Sequence, residues 1–380
     1  MTDQVLLMTE PLSKIPDGMR YYFGREARIR RMVEETVMSV FDGWSYEEIT
    51  TPTVDFYSLF EHGMGSAEAH RSFRFTDIDG RLLALRPDVT SGVARAAVTM
   101  FEARERPLRL CYAASVFRQQ PQSHTEWRRE TIQAGCELMG VNTGAADVEV
   151  LSIACEIFQR LGLGDSYQII LNDVGIFRGL GDRLQLDEEC RSEVRRLVDS
   201  RNGADLLAFL NDQKCSPNES RVLAQLSQLS GRREVLEVAG EALDNPSSLE
   251  AVNRLDRLWR VVEALELSKH FEIDLGDVAK LDYYTGLTFS IYLNGAATRV
   301  GSGGRYDGLT AIFGSAEPGV GFVLDLDALT RVVLEQDTDS NEQREMEAQS
   351  VSGKGDSSLL LEEAIKRRGE GERVRINFKR

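Results

Sequence analysis

Three short stretches of this chain carry side chains suited to holding a small charged molecule. Arg86-Pro87-Asp88-Val89-Thr90 places a carboxylate and a hydroxyl two residues apart. An ammonium group needs anionic or neutral oxygen acceptors at fixed positions, and Asp88 and Thr90 are chemically suited to it. Gln133-Ala134-Gly135-Cys136-Glu137 falls in a stretch that reads as a strand, so that 133, 135 and 137 face one side. A small Gly135 between two polar residues leaves room for a ligand to lie against the backbone. Buried Gln133 and Glu137 could equally serve a structural polar network. The third stretch, Gly301-Ser302-Gly303-Gly304-Arg305-Tyr306-Asp307-Gly308-Leu309, would let backbone approach a ligand closely, as a pocket floor. Structural turns explain most glycine-rich runs taken alone.

Composition narrows the partners. The chain has 380 residues, enough for one large core plus a smaller appended unit. With 42% hydrophobic and 28% charged residues it reads as an ordinary globular protein. A net charge of −16 argues against a nucleic-acid-wrapping surface, because such affinity rests on Lys and Arg neutralising phosphates. No N-terminal apolar run has signal-peptide or membrane-spanning length, so we expect a cytoplasmic protein without membrane contact. Five scattered cysteines and four dispersed histidines lack metal-ligand spacing. They predict reduced, mostly buried thiols and no metal site.

The elements that must position these groups are legible in part. Pro16-Asp17-Gly18 reads as a turn before a helix to about residue 42, with Ile29, Met32, Val33, Val37, Val40 and Phe41 at helical spacing. Gly43 offers its stop. Residues 46–54 suggest a strand ending in Thr51-Pro52. Two strands joined at Asp79-Gly80 form a hairpin signal. Residues 108–117 and 131–139 look like an antiparallel pair around a polar loop, followed by a helix over 148–161 and a strand over 166–172. From about 174 to 270 helical periodicity is nearly continuous. Strands resume at 282–292, and 320–329 is a last apolar stretch. The composition then turns polar and linker-like, before a short helix at 359–368 and a strand at 374–378.

These stretches together resemble the catalytic core of histidyl-tRNA synthetases, class II aminoacyl-tRNA synthetases, over about residues 15–330. Arg86-Pro87-Asp88-Val89-Thr90 is similar to the family's Arg-Pro-Glu-Gly-Thr, which holds the substrate's α-amino group. Gln133-Ala134-Gly135-Cys136-Glu137 is similar to Gln-Leu-Gly-Cys-Glu, and Gly303-Gly304-Arg305-Tyr306-Asp307-Gly308-Leu309 matches in full. Val278-Ala279-Lys280-Leu281-Asp282-Tyr283-Tyr284 resembles a segment ending Arg-Gly-Leu-Asp-Tyr-Tyr. The resemblance implies an α+β fold: a class II aminoacyl-tRNA synthetase-like antiparallel sheet flanked by helices. A helical insertion over 174–270, a polar linker over 331–357 and a short C-terminal remnant over 358–380 complete it, in place of an anticodon domain of about 100 residues. It also implies a histidine pocket of Asp88, Thr90, Arg118, Gln133, Glu137, Tyr283, Tyr284, Gly303, Gly304 and Arg305. Gln133 would accept from the amino group, with Glu137 and Tyr284 on opposite imidazole nitrogens.

What the family uses for chemistry is altered. Adenylation builds charge on phosphoryl oxygens that positioned cations stabilise. Ala279 stands where the family's catalytic arginine would be. Asp325-Leu326-Asp327-Ala328-Leu329 is similar to Gly-Leu-Glu-Arg-Leu of the third class II motif, with Ala328 in place of its arginine. Arg118 matches the second motif's arginine, but Gln120 replaces its acidic partner. In the loop 122–129 the family's glycine is absent, and Trp127 falls where an ATP-contacting arginine is expected. Lys280 does not substitute for Ala279, because neighbours on a strand point to opposite faces.

Relatives with this pattern, and with Asn172-Asp173-Val174-Gly175-Ile176-Phe177-Arg178, are the regulatory subunits of ATP phosphoribosyltransferase. The resemblance implies a chain with no catalytic residues, cofactor or metal of its own. It implies a homodimer inside a hetero-oligomer, such as a hetero-octamer, with a short catalytic subunit that it activates and through which histidine inhibits. Whether histidine enters the synthetase-like pocket or a subunit interface is open. One alternative is a ligase that activates histidine; another is a synthetase-like scaffold that binds RNA.

Overall fold

Apolar residues every three or four positions put Ile29, Val33, Val37, Val40 and Phe41 on one buried stripe, and these define helix α1 (Gly24–Gly43). The structure, a computed structural model, describes residues 13–119, 128–277, 283–336, 349–351 and 357–377. The stripe of α1 packs on a nine-stranded sheet whose order is β1-β5-β6-β12-β11-β10-β7-β9-β8. Its centre is β5 (Leu108–Phe117), β6 (Glu130–Met139), β12 (Gly319–Asp325), β11 (Gly301–Arg305), β10 (Leu287–Leu293) and β7 (Tyr167–Asp173), all paired antiparallel. The edges are β1 (Glu47–Glu48), parallel to β5, and β9 (Phe271–Asp274), parallel to β7, with β8 (Ser230–Gly231) outside it. The sheet is therefore mixed, with an antiparallel centre, and its flanking helices agree with the expected class.

Strand periodicity sorts the two faces. Cys111, Ala134, Cys136, Leu138, Phe322 and Leu324 point into the main core under α1, α5 (Gly144–Arg160) and α12 (Leu326–Gln336), while α11 (Pro246–Ala264) packs on β7 and α5. The alternate residues Leu110, Tyr112, Met139 and Tyr306 form a second core under α4 (Thr90–Thr99). A three-stranded sheet of β2 (Val54–Phe56), β4 (Leu82–Leu85) and β3 (Arg74–Thr76) stands beside it, with α2 (Tyr57–Met64) and α3 (Ser66–Ala69) alongside. Its β3–β4 hairpin closes at Asp79-Gly80, where Gly80 has φ +78°. The predicted strand over 46–54 survives only as β1 and β2, because the intervening backbone bridges the two sheets.

The helical stretch is six helices, α6 (Val174–Arg183), α7 (Glu188–Asp199), α8 (Gly203–Asp212), α9 (Pro217–Leu226), α10 (Glu234–Ala242) and α11. Asp173 starts it: its carboxylate accepts from Gly175 N at 2.8 Å and is held by Arg254 of α11 at 2.9 and 3.0 Å. Residues 331–336, which the composition assigns to the linker, complete α12, and Val332 and Val333 are buried there. The tail contains β13 (Gln349–Val351), parallel to β14 (Val374–Ile376), and α13 (Ser357–Gly369). No described helix is long and apolar enough to cross a membrane.

Candidate ligand pocket

Glu137 is the organising group. It lies on the second-core face of β6, is 1% exposed, and is pinned by hydroxyls from three elements. Thr90 Oγ1, from the first turn of α4, donates to Oε1 at 2.7 Å, and Tyr112 of β5 donates to the same oxygen at 3.3 Å. Tyr306, just after β11, donates to Oε2. Burial pushes its carboxyl up to about 7, against the pull of these hydrogen bonds.

Glycines make the space for this cluster. Gly321 sits opposite Glu137 in register, and a Cβ there would lie 2.0 Å from Oε2. A Cβ at Gly135 would meet the Tyr112 hydroxyl at 2.6 Å, so the room over Gly135 is filled by a tyrosine of this chain and not left for a ligand. A Cβ at Gly304 would lie 2.4 Å from the Leu287 carbonyl and 2.9 Å from the Tyr284 ring, so this chain's own tyrosine and not a ligand covers that backbone. The Tyr283 and Tyr284 rings lie tilted at 59° with 4.8 Å between centres, and Tyr283 stands edge-on to Tyr306 at 5.7 Å. Burial pushes the Tyr284 hydroxyl up to about 12.

The open part is a cavity of about 440 Å³ that brings together Asp88, Thr90, Arg118, Gln133, Glu137, Tyr283 and Tyr284. Asp88 precedes α4 and is only loosely held by Ser91, whose N and Oγ stand 3.4 Å from its oxygens. Burial raises its carboxyl; Ser91 and the Arg118 charge act the other way. Arg118 Nε is buried without a hydrogen-bond partner. Burial, then the neighbouring Arg71 charge, lowers its guanidinium. A cavity with a loosely held carboxylate, an amide, phenols and a guanidinium whose Nε lacks a partner can hold a small zwitterion by both of its charges.

Three predicted residues do not line this cavity: Gly304, which is covered by Tyr284, and two that lie on the other face of the sheet. Gly303 faces the main core, where a Cβ would sit 2.5 Å from both Phe289 and Phe322. Arg305 points the same way: it binds Asp147 of α5 at 2.7 Å and the Thr143 carbonyl at 3.2 Å, beside a second cavity of about 690 Å³. Both share the parity that places alternate strand residues on the helix-covered side. Sequence reasoning missed Tyr112 and Tyr306; Tyr112 pairs with Gly135, a cross-strand relation invisible without register. It also missed Asp325, Arg71, Arg128 and Arg299 as pocket residues. Ala279, Lys280, Gln120 and Trp127 lie outside the described residues. Among the described residues no group of His, Cys, Asp and Glu could hold a metal ion.

An antiparallel sheet with a polar pocket on one face and helices on the other defines a class II aminoacyl-tRNA synthetase-like protein. The histidyl-tRNA synthetase profile matches residues 18–329. An ATP phosphoribosyltransferase regulatory subunit of Moorella thermoacetica is 36% identical over 317 residues, covering 83% of this chain and 81% of its own. One from Desulfitobacterium hafniense is 32% identical over 363 residues, covering 96% and 91%. A solved ATP phosphoribosyltransferase regulatory subunit/histidyl-tRNA synthetase of Bacillus halodurans superposes with a TM-score of 0.84 at 26% identity, covering 97% of this chain and 94% of that one. The chain belongs to the histidyl-tRNA synthetase family, on the branch of the ATP phosphoribosyltransferase regulatory subunits.

Proposed function

We propose that this chain is the non-catalytic regulatory subunit that a short ATP phosphoribosyltransferase catalytic subunit needs for activity, and through which histidine inhibits the first step of histidine biosynthesis. One observation carries the reading. Asp88, Gln133 and Glu137 line one cavity, while the position similar to the third-motif arginine is Ala328, 5% exposed among apolar core residues. A methyl group there supplies no charge to an adenylating transition state.

Histidine would enter the cavity with its ammonium toward Asp88 and Gln133 and its carboxylate toward Arg118. Its imidazole would face Tyr284 and the accepting capacity that Glu137 has left after three hydroxyls, since a carboxylate offers about four acceptor positions. The chain would act as a homodimer within a cytoplasmic hetero-oligomer. Histidine can restrain the catalytic partner only by binding two arrangements of that complex unequally.

The test is phosphoribosyl transfer by a short-form catalytic subunit with and without this chain, then with rising histidine. Activation that histidine reverses supports the reading. Absence of both activation and complex formation overturns it. Histidine-dependent exchange of pyrophosphate into ATP by this chain alone would establish the ligase alternative instead.

A further inference from the structure

The cavity's lining includes Asp325, immediately before α12. Asp325, the last residue of β12, turns its carboxylate back over that helix. Its Oδ1 accepts from Asp327 N at 2.9 Å and from Ala328 N at 3.0 Å. Unoccupied, the first amides of an 11-residue helix facing a cavity would attract phosphate, because they are unpaired donors at the positive end of the helix dipole. Here a carboxylate of the chain itself takes those donors and brings its own negative charge to the cavity wall.

The remaining charges point the same way. Five arginines and six carboxylates line the cavity, so its fixed charge is nearly balanced, which suits a zwitterion and not a polyanion. Burial raises the Asp325 carboxyl, the Arg128 charge acts the other way, and the Asp325 charge in turn favours the Arg118 cation. Arg128 also stands 3.7 Å from Asp327, and Arg30 binds that same carboxylate at 2.8 Å. An incoming triphosphate would therefore meet a filled helix terminus, a carboxylate, and arginines already shared with acids.

We propose that Asp325 is the specificity-determining residue that bars nucleotides and other polyphosphates from this pocket, leaving it to a small zwitterionic amino acid. The proposal rests on the reading of the cavity as a ligand pocket.

The experiment is calorimetric titration of the full chain with tripolyphosphate, with ATP and, separately, with histidine. Asp325→Asn keeps the helix cap, because Asn accepts the same amide hydrogens, and removes only the charge. It should bind tripolyphosphate at least about tenfold more tightly than the natural chain, with the gain shrinking as salt rises. Adding Arg118→Ala to Asp325→Asn should abolish the gain. Asp325→Ser, a neutral cap of different size, repeats the test should the first variant fail to fold. Equal tripolyphosphate affinity in natural and neutral-cap chains overturns the proposal, as does a gain that survives Arg118→Ala. Failure of histidine to bind the natural chain would sink the amino-acid pocket but not the charge barrier, which the tripolyphosphate titration decides alone.

Discussion

Gly321 and Glu137 face each other across the β12–β6 ladder, and the space a Cβ would take at 321 is filled by the Glu137 carboxylate, 2.0 Å away. The pairing is one-sided. A buried acid can sit inside the sheet's pocket face only because its neighbour has no side chain.

Gly321→Ala should therefore push Glu137 off its three hydroxyl donors. We expect a loss of about 1–3 kcal/mol of stability, the range for overpacking a well-filled interior. Histidine binding should fall with it. Urea unfolding and titration calorimetry on the same preparation check both, and an unchanged midpoint would contradict the packing account.

Glu137 also predicts a pH dependence. Burial raises its carboxyl from the ordinary 4.5 to about 7 in the folded chain. Between those values the unfolded chain releases a proton that the folded chain keeps, so this group's contribution to stability falls as pH rises through that window and levels off above it. Each unit of difference is worth about 1.4 kcal/mol, so the whole effect is a few kcal/mol at most. Unfolding free energies at pH 5, 6, 7 and 8 for the natural chain and Glu137→Gln should converge on a constant difference only above pH 7.

Tyr306→Phe removes one donor to Glu137 without changing the ring that packs on Gly319. Leaving a buried acceptor short of a partner costs about 1–3 kcal/mol. Combining it with Glu137→Gln should cost less than the two separate losses together, because both act on one hydrogen bond. Strict additivity in a double-mutant cycle would mean that the two groups do not interact.

Asp88→Asn should weaken histidine inhibition of the assembled complex at least about tenfold, since a neutral amide replaces the charge facing the ammonium. Activation of the catalytic subunit should persist. Inhibition curves at fixed subunit ratio separate the two effects, and equal inhibition would move the histidine site to a subunit interface.

Arg305→Ala should behave oppositely. Its guanidinium side chain is 8% exposed and its partner Asp147 16%, so truncation strands a nearly buried carboxylate and costs about 3–5 kcal/mol. Histidine affinity of the chain that still folds should be unchanged, because the pair lies on the helix-covered face. Thermal unfolding followed by calorimetry below the melting temperature distinguishes this from a ligand contact.

The hairpin at Asp79-Gly80, the β5–β6 pair and the α1 stripe were readable because each follows a local rule: a turn chemistry or a fixed period. The period-two rule also placed Gln133, Gly135 and Glu137 on one face. Applied along Gly303-Gly304-Arg305, the same rule separates Gly304 from its neighbours, yet resemblance grouped all three as floor. Short β9 was not legible, because it has no alternation long enough to register and pairs with β7 across a long sequence separation.

The sequence by itself determined which residue types stand at the family's ligand positions, and that Ala279 and Ala328 occupy the places of two arginines. It also determined the net charge that disfavours nucleic acid. Only the tertiary structure decided what those residues face. Strand register brought Tyr112 over Gly135 and Glu137 onto Gly321, the end of β11 delivered Tyr306, and the turn into α12 folded Asp325 over its own helix. The reason is physical: side-chain identity and period are local, whereas the partner of a buried group is set by which distant strands share hydrogen bonds, and no local signal encodes that pairing.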